Sequence, residues 1–596
     1  MLSRIAYMVS VALMLVASFW YYPKWKQEKT EATLSWDVSG YYWYLPSIFI
    51  YNDLTGQSFK DSILNRYAPT NQDFQQAMKV ENGNYVMKYS SGMAVMYLPF
   101  FAAAHIMAKP LGYPPDGFSP PYQLAIQLGG ILVSILGLWY LRRLLLLYYD
   151  DKVVAIALLM LAAGSNYLNY AAIDCGMSHC WLFTLYVLLL LNTHHFYREY
   201  KAKHAIRIGL LVGLATLTRP TDILSCMIPL LWGMEGISIT SIRERMALLV
   251  SRYRLFLLAV ACAAPVVAIQ LIYWKYASGH WMVYSYGGQE FSWKHPHIYD
   301  YTLSYRSGWL VYSPIMVFAF LGLLPFAMRG KNKVAIIAFF LLNYYVVTAW
   351  DIWWYGGRAM VQSYPVLMFP IAAAVEVAIE RRWLAVIFWP VVLLLTYYNL
   401  WLTVQYHGGK LYDSESMTKR YFWRVVGRWS APEGTIFLRD NADLYEEQPM
   451  NSKVIWHASF AQDTGSAYVA DTTTHTRYLR LDKDHQESPV YAFAIDRSKG
   501  DRLRIEATFR STEKEWDTWK MTQMIAELTD SKNKNAVVKQ NLLRVYRVLN
   551  RQETRTIALD MDLPRKPFDS VHVRFWNAGT GVEIHVLDMQ AIQFSE

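Results

Sequence analysis

IRIGLLVGLATLTRPTDILSCMIPLLW, residues 206–232, is an apolar block with Thr218-Arg219-Pro220-Thr221 in its middle and a basic loop at each end. The preceding loop carries Arg198, Lys201 and Lys203; the following one carries Arg243, Arg245, Arg252 and Arg254. One straight helix would place these loops on opposite sides of a membrane. Two half-helices turning at Arg219-Pro220 keep both on the same side, and proline supplies the break because it lacks a backbone donor and clashes with the preceding turn. Broken helices are tolerated in a bilayer where they line a polar cavity.

Working outward, similar apolar blocks occupy 5–22, 122–141, 153–171, 177–193, 255–274, 309–328, 334–350, 359–377 and 384–403. Each is near the ~20 residues that cross a hydrocarbon core. With 206–232 counted as two, the chain is expected to carry about 11 membrane segments. Arg142, Arg143, Arg329, Lys331, Lys333, Arg381 and Arg382 fall in loops on the same side as the basic loops above, which should be cytoplasmic. The opposite loops, 172–176, 276–308 and 351–357, are poor in Lys and Arg. This sorting accounts for most of the net charge of +10 and removes the case for a nucleic-acid partner. Gly92–Ala108 is apolar but short, and is expected to lie along the outer interface. Residues 23–121 then form one large outer loop, although Lys24, Lys26 and Lys29 resist that placement. The exit from the first block, Phe19-Trp20-Tyr21-Tyr22, offers no small-x-small cleavage site, so an uncleaved anchor is expected. The four cysteines lie in or beside apolar blocks and imply no disulfide framework.

After residue 405 the pattern changes. A linker is expected over 406–430, then an extracytoplasmic domain over 431–596. Alternating stretches at 490–495, 502–509, 556–559, 571–576 and 582–587, separated by turn signals, predict a β-sandwich or jelly roll.

Several residues stand out chemically. Asp37, just beyond the first block among aromatics, suits a general base; the plain alternative is a solvated loop acid or helix cap. Lys88, followed by Tyr89, precedes the interfacial helix, where a cation can bind a lipid phosphate or simply anchor the segment. Asp174 and His179 share a short outer loop but are too few ligands for a metal site. Arg219 inside an apolar block is costly and functional by default, unless Asp222 merely pairs with it to hold the break. In Trp353-Trp354-Tyr355-Gly356-Gly357-Arg358, the arginine suits a phosphate and the aromatics a sugar or prenyl chain; an aromatic belt is the equal alternative. Two acids, three cations and many aromatics at one membrane surface fit a substrate with a phosphate, an isoprenoid tail and a sugar.

In their order along residues 1–403, these motifs resemble the type C glycosyltransferase superfamily, which contains protein O-mannosyltransferases and lipid A aminoarabinose transferases. The motifs are Asp37, Lys88 to Gly92, Asp174, the Gly213–Thr221 run and Trp353–Arg358. The resemblance implies a membrane catalytic domain over 1–405 and a polyprenyl-phosphate sugar donor. It also implies inversion without a covalent intermediate, a base at Asp37, and a donor phosphate held by Lys88, Arg358 and Arg219. Asp174 is carried over as a second catalytic acid, and Tyr89, His179, Trp354 and Tyr355 as substrate-binding residues. The acceptor would be an extracytoplasmic glycan, lipid or protein hydroxyl, and the membrane a bacterial inner membrane. Many members follow the first acid with another; here Val38 and Ser39 follow Asp37, so a divalent metal is allowed but not required. The lysine-proline signature reads Lys88-Tyr89. Three alternatives remain: a ligase or oligosaccharyltransferase using a pyrophosphate-linked glycan, a lipid-linked-sugar transporter, and a non-catalytic glycan-binding membrane protein.

Overall fold

A computed structural model describes residues 1–596 except 71–73, 351–354, 410, 448, 459, 461–464, 471–476, 513–521, 534–535, 578–581 and 596. The chain divides into two units, Met1–Lys410 and Leu411–Glu596.

The first unit is helical. Among the described residues, five helices are long and apolar enough to cross a membrane: Leu2–Lys26, Pro120–Leu145, Tyr253–Ser278, Arg358–Glu380 and Arg382–Gly409. Gly92–Ala108, Pro220–Leu231, Pro314–Arg329 and Lys333–Ala349 are shorter and also apolar. The long helices differ in what they face. Arg358–Glu380 is buried inside the unit, with Val366 and Met368 fully covered. Tyr253–Ser278 and Arg382–Gly409 turn large apolar side chains outward, among them Val260, Ile272, Val386 and Leu393. So much continuous apolar surface would be unfavourable in water and is what a bilayer covers. The chain is an integral membrane protein by this pattern.

Helix Ala202–Thr218 stops where the sequence predicts. Arg219 is extended, at φ −142° and ψ 117°, because the following Pro220 disfavours the helical region for its predecessor. A 3-10 segment, Pro220–Cys226, and a short helix, Met227–Leu231, continue the block. The first half-helix packs on Tyr253–Ser278 through Gly209 and Gly213, where a Cβ would collide with Ala259 and meet the backbone of Ala263. Glycines four apart let two membrane helices approach closely and gain dispersion contacts that larger residues would prevent.

Three expectations are corrected. The block at 153–171 is not one helix: Asp151–Gly164 ends at extended Ser165, and Asn169–Ile173 forms a separate π turn. The block at 309–328 is broken at Ser313-Pro314 into Trp309–Tyr312, Pro314–Met316 and Val317–Arg329, again before a proline. The expected linker does not exist as such. Gln405–Gly409 is a π turn on the last helix, and Leu411 begins the second unit, where Thr418 caps helix Lys419–Val425 and Tyr421, Phe422 and Val425 are buried. Three buried apolar side chains within seven residues give this stretch its own core contact.

The second unit is a sandwich of two antiparallel sheets. One runs Thr554–Asp562, Arg502–Ser511, Ile584–Ser595, Arg477–Leu481, Tyr468–Ala470, with Met450–Ala458 also paired to Ile584–Ser595. The other runs Tyr491–Ala494, Ser570–Trp576, Gln523–Asp530, Ala536–Arg544. Arg502–Ser511 alternates strictly between buried and half-exposed positions, as a strand with one face in a core must. Its Ile505, Ala507 and Phe509 belong to the same core as Met524, Ala526, Val573 and Phe575 of the other sheet.

Candidate active site

The site begins at helix Trp36–Tyr42. Trp36 has φ +48°, a left-handed conformation that non-glycine residues rarely adopt, and its amide donates to the Pro69 carbonyl at 2.9 Å. The next residue, Asp37, is therefore held at a fixed helix start. Its Oδ1 accepts from the Tyr89 hydroxyl at 2.7 Å and its Oδ2 from Arg358 Nη2 at 2.9 Å. The Asp37 and Arg358 side chains are each 23% exposed, so the pair is half-buried but still reachable.

Two chain features bring these partners together. Gly356 and Gly357 both have positive φ, +60° and +63°, which turns the chain into Arg358. The Gly356 carbonyl accepts from Asn166 Nδ2 at 2.8 Å and the Gly357 carbonyl from the Tyr301 hydroxyl at 2.9 Å, so the turn is anchored from two sides. At Gly40, a Cβ would lie 2.6 Å from the Tyr89 ring; the missing side chain lets that ring lie against the helix and reach Asp37. Gly40→Ala is expected to displace the Tyr89 ring, break its bond to Asp37 and lower any turnover that depends on Asp37 about tenfold, the scale of one hydrogen bond to a charged group. The check is kcat against Tyr89→Phe: equal losses in the two variants, with none added in the double variant, are the expected pattern.

Lys88 joins from the end of strand Tyr85–Met87. Its Nζ lies over the rings of Tyr89 and Tyr286, at 5.6 and 5.9 Å from the centroids, and pairs with no carboxylate among the described residues. The segment is pinned by Ser285 donating to the Lys88 carbonyl at 2.6 Å, and by Gln270 and Tyr273 binding the amides of Ser91 and Met87. At Gly92 a Cβ would collide with the Thr218 backbone, so the start of Gly92–Ala108 rests on the end of the first half-helix. Arg219 follows directly and donates through Nη1 to Gln362 Oε1 at 2.9 Å. Tyr41 and Tyr286 both lie within charge-interaction range of Asp37 and Arg219, and Tyr41 of Arg358 as well. Burial and the neighbouring Asp37 carboxylate push the Tyr89 phenol well above its usual range, so it acts as a neutral donor. Asp37 is thus bonded to Arg358 and Tyr89, with Lys88 over the Tyr89 ring and Arg219 on Gln362.

Not every predicted residue enters this cluster. Asp174 is held elsewhere: Lys24 binds Oδ1 and Asn169 Nδ2 donates to Oδ2 at 3.0 Å. Burial alone would raise its carboxyl, but the Lys24 and His407 neighbours and the Asn169 bond outweigh it and hold Asp174 down at about 2. A role as a second catalytic acid is not what this placement offers; it is half of a structural ion pair. Tyr355 is fully buried and stacks on Tyr406 with centroids 4.4 Å apart, so it forms wall rather than binding surface. Trp353 and Trp354 lie outside the described residues. His179 is buried beside Gln362, its Nδ1 3.3 Å from Oε1. No three His, Cys, Asp or Glu side chains converge among the described residues, and Asp174 and His179 face different partners.

Gln362 and Tyr286 escaped the reading of the sequence. A glutamine within the apolar run Met360-Val361-Gln362-Ser363 was a usable signal, since a polar side chain at such a position demands a partner. Tyr286 had none, being one tyrosine among several in a long loop.

Compared with models of known protein families and with curated protein sequences, the chain matches none. Function must therefore be argued from the site.

Proposed function

We propose that the chain is a membrane glycosyltransferase that moves a sugar from a polyprenyl-phosphate donor to a hydroxyl on an extracytoplasmic glycan, lipid or protein, with inversion at the anomeric carbon. The observation that carries this reading is the Asp37 carboxylate held by Tyr89 and Arg358 with Lys88 and Arg219 close by. A phosphate is a group that Arg358, Lys88 and Arg219 are suited to receive. An apolar exterior supplies the route for an isoprenoid tail.

In the reaction, the acceptor oxygen attacks the anomeric carbon while Asp37 takes its proton. The bond from that carbon to the phosphate oxygen breaks, and its electron pair leaves with the phosphate. Arg358, Arg219 and Lys88 offset the charge that builds on the departing group. Tyr89 holds Asp37 in position to take that proton. The chain's own residues supply this chemistry, and a divalent ion is not required by it. On this reading about 11 segments cross the membrane, the Asp37 cluster and the sandwich lie outside the cytoplasm, and the sandwich presents the acceptor.

The test is transfer of radiolabelled sugar by the purified full chain, offered a panel of polyprenyl-phosphate hexoses and pentoses. Activity with one donor is expected. Lys88→Ala should raise KM for that donor more than it lowers kcat, because Lys88 contacts the leaving group's phosphate before and during reaction. Donor binding without turnover by any panel member would sink the transferase reading and favour a transporter.

A further inference from the structure

Gln362 sits at the centre of a chain of hydrogen bonds whose directions are all determined. Arg219 can only donate, so the atom facing it is the amide oxygen, Oε1, at 2.9 Å. The amide nitrogen then faces Asp222, donating to Oδ1 at 3.1 Å, where the Tyr186 hydroxyl also donates at 2.8 Å. Because Oε1 can only accept, His179 Nδ1, 3.3 Å away, must carry the ring's proton. Gln362, Asp222 and Tyr186 are 1–2% exposed, so water does not compete for these bonds.

The consequence falls on the other ring nitrogen. His179 is 3% exposed and lies edge-on to Tyr170. No carboxylate is bonded to the ring among the described residues, and its hydrogen bond to Gln362 uses the proton on Nδ1. Nε2 is then a lone pair, and it has no partner among the described residues. A buried acceptor left unpaired carries a penalty that a bound ligand can relieve. The neighbours in the cluster are donors: Arg219, Arg358, Lys88 and Tyr89. The acceptors Asp37, Gln362 Oε1 and Asp222 Oδ1 are already engaged.

We infer that His179 Nε2 recognises a hydroxyl of the transferred sugar, accepting its hydrogen bond, and that Gln362 is the positioning residue that fixes the tautomer while orienting Arg219. This rests on the transferase reading for the identity of the ligand as a lipid-linked sugar. It assigns the cations to the phosphate and the single lone pair to the sugar, so the two parts of the donor are read by different chemistry.

The experiment compares binding of a polyprenyl-phosphate sugar with that of sugar-free polyprenyl phosphate, using the full chain in lipid nanodiscs. His179→Asn retains an amide donor near Gln362 and deletes the Nε2 position. Wild type should bind the sugar-bearing lipid about tenfold or more tightly than the sugar-free one, and His179→Asn should lose that preference while binding the sugar-free lipid as wild type does. The second arm uses monodeoxy donors: one deoxygenation should cost wild type about tenfold to a hundredfold in binding and cost His179→Asn almost nothing. The inference is overturned if His179→Asn keeps the same deoxy penalty, if it loses the sugar-free lipid as well, or if wild type does not prefer the sugar. Selective binding without turnover would defeat the transferase reading alone and leave the recognition role standing.

Discussion

Asp37→Asn is expected to lower sugar transfer by about 10²–10⁴-fold and, in the same protein, to tighten binding of polyprenyl phosphate. The first effect follows from removing the group that takes the acceptor's proton. An amide accepts from Tyr89 through its oxygen and so keeps that bond, but its nitrogen faces Arg358 donor to donor and it cannot act as a base. The second effect follows from Arg358. In the resting protein its guanidinium is bound to Asp37 Oδ2 at 2.9 Å. An incoming phosphate must compete with that carboxylate for the same donors. Removing the competing charge releases about 1 kcal/mol, the upper range for a partly exposed ion pair, and so a severalfold gain in affinity. On the proposed reaction, the same competition would set an order: donor binding would draw Arg358 away and free Oδ2 to accept a proton from the second substrate. Equilibrium binding and single-turnover transfer on wild type and Asp37→Asn check both halves. Loss of activity with weaker lipid binding would mean that Asp37 serves to hold the site together rather than to remove a proton.

The largest expected effect on stability lies at Lys24 and Asp174. Their side chains are only 16% and 12% exposed, so each charge is tolerable because of the other. Lys24→Met leaves a buried carboxylate uncompensated, which typically costs about 3–5 kcal/mol. The double change Lys24→Met with Asp174→Asn should recover most of that loss, because no charge is then stranded. Thermal melting of the purified proteins checks the pair, and a double variant no more stable than the single one would overturn it. The pH dependence has a definite sign. The folded carboxyl is depressed to about 2, below its unfolded value, so its contribution is complete above about pH 4 and is lost as pH falls toward 2. The melting temperatures of wild type and Lys24→Met should therefore approach each other as pH falls toward 2.

The parts of this molecule that were legible in the sequence are those dictated by local chemistry. Arg219-Pro220 announces its own break because the steric rule acts on adjacent residues. The sandwich strands at 502–509 and 571–576 show alternation because one face is buried. What stayed hidden depends on distant partners. Ser165 ends a helix inside an apolar run, with its hydroxyl bonded back to Leu161 and its neighbour Asn166 committed to Gly356, 190 residues on. The five strands at Met450–Ala458, Tyr468–Ala470, Arg477–Leu481, Gln523–Asp530 and Ala536–Arg544 went unpredicted; Ala536–Arg544 lies at a sheet edge and is largely half-exposed, which leaves little periodicity to detect. In the site, the residue types were readable but their pairing was not. Arg358 looked like a phosphate ligand in waiting, whereas in the fold it is engaged by Asp37 across 321 positions.

The Lys24–Asp174 contact also bears on how such a chain is made. A lysine just past the first membrane segment opposes the orientation proposed for that segment, because insertion favours keeping cations on the cytoplasmic side. Its counter-charge lies 150 residues further along. At typical synthesis rates that partner emerges some 10–30 s later. On the proposed orientation, Lys24 therefore has no counter-charge from Asp174 until the middle of the chain has been made.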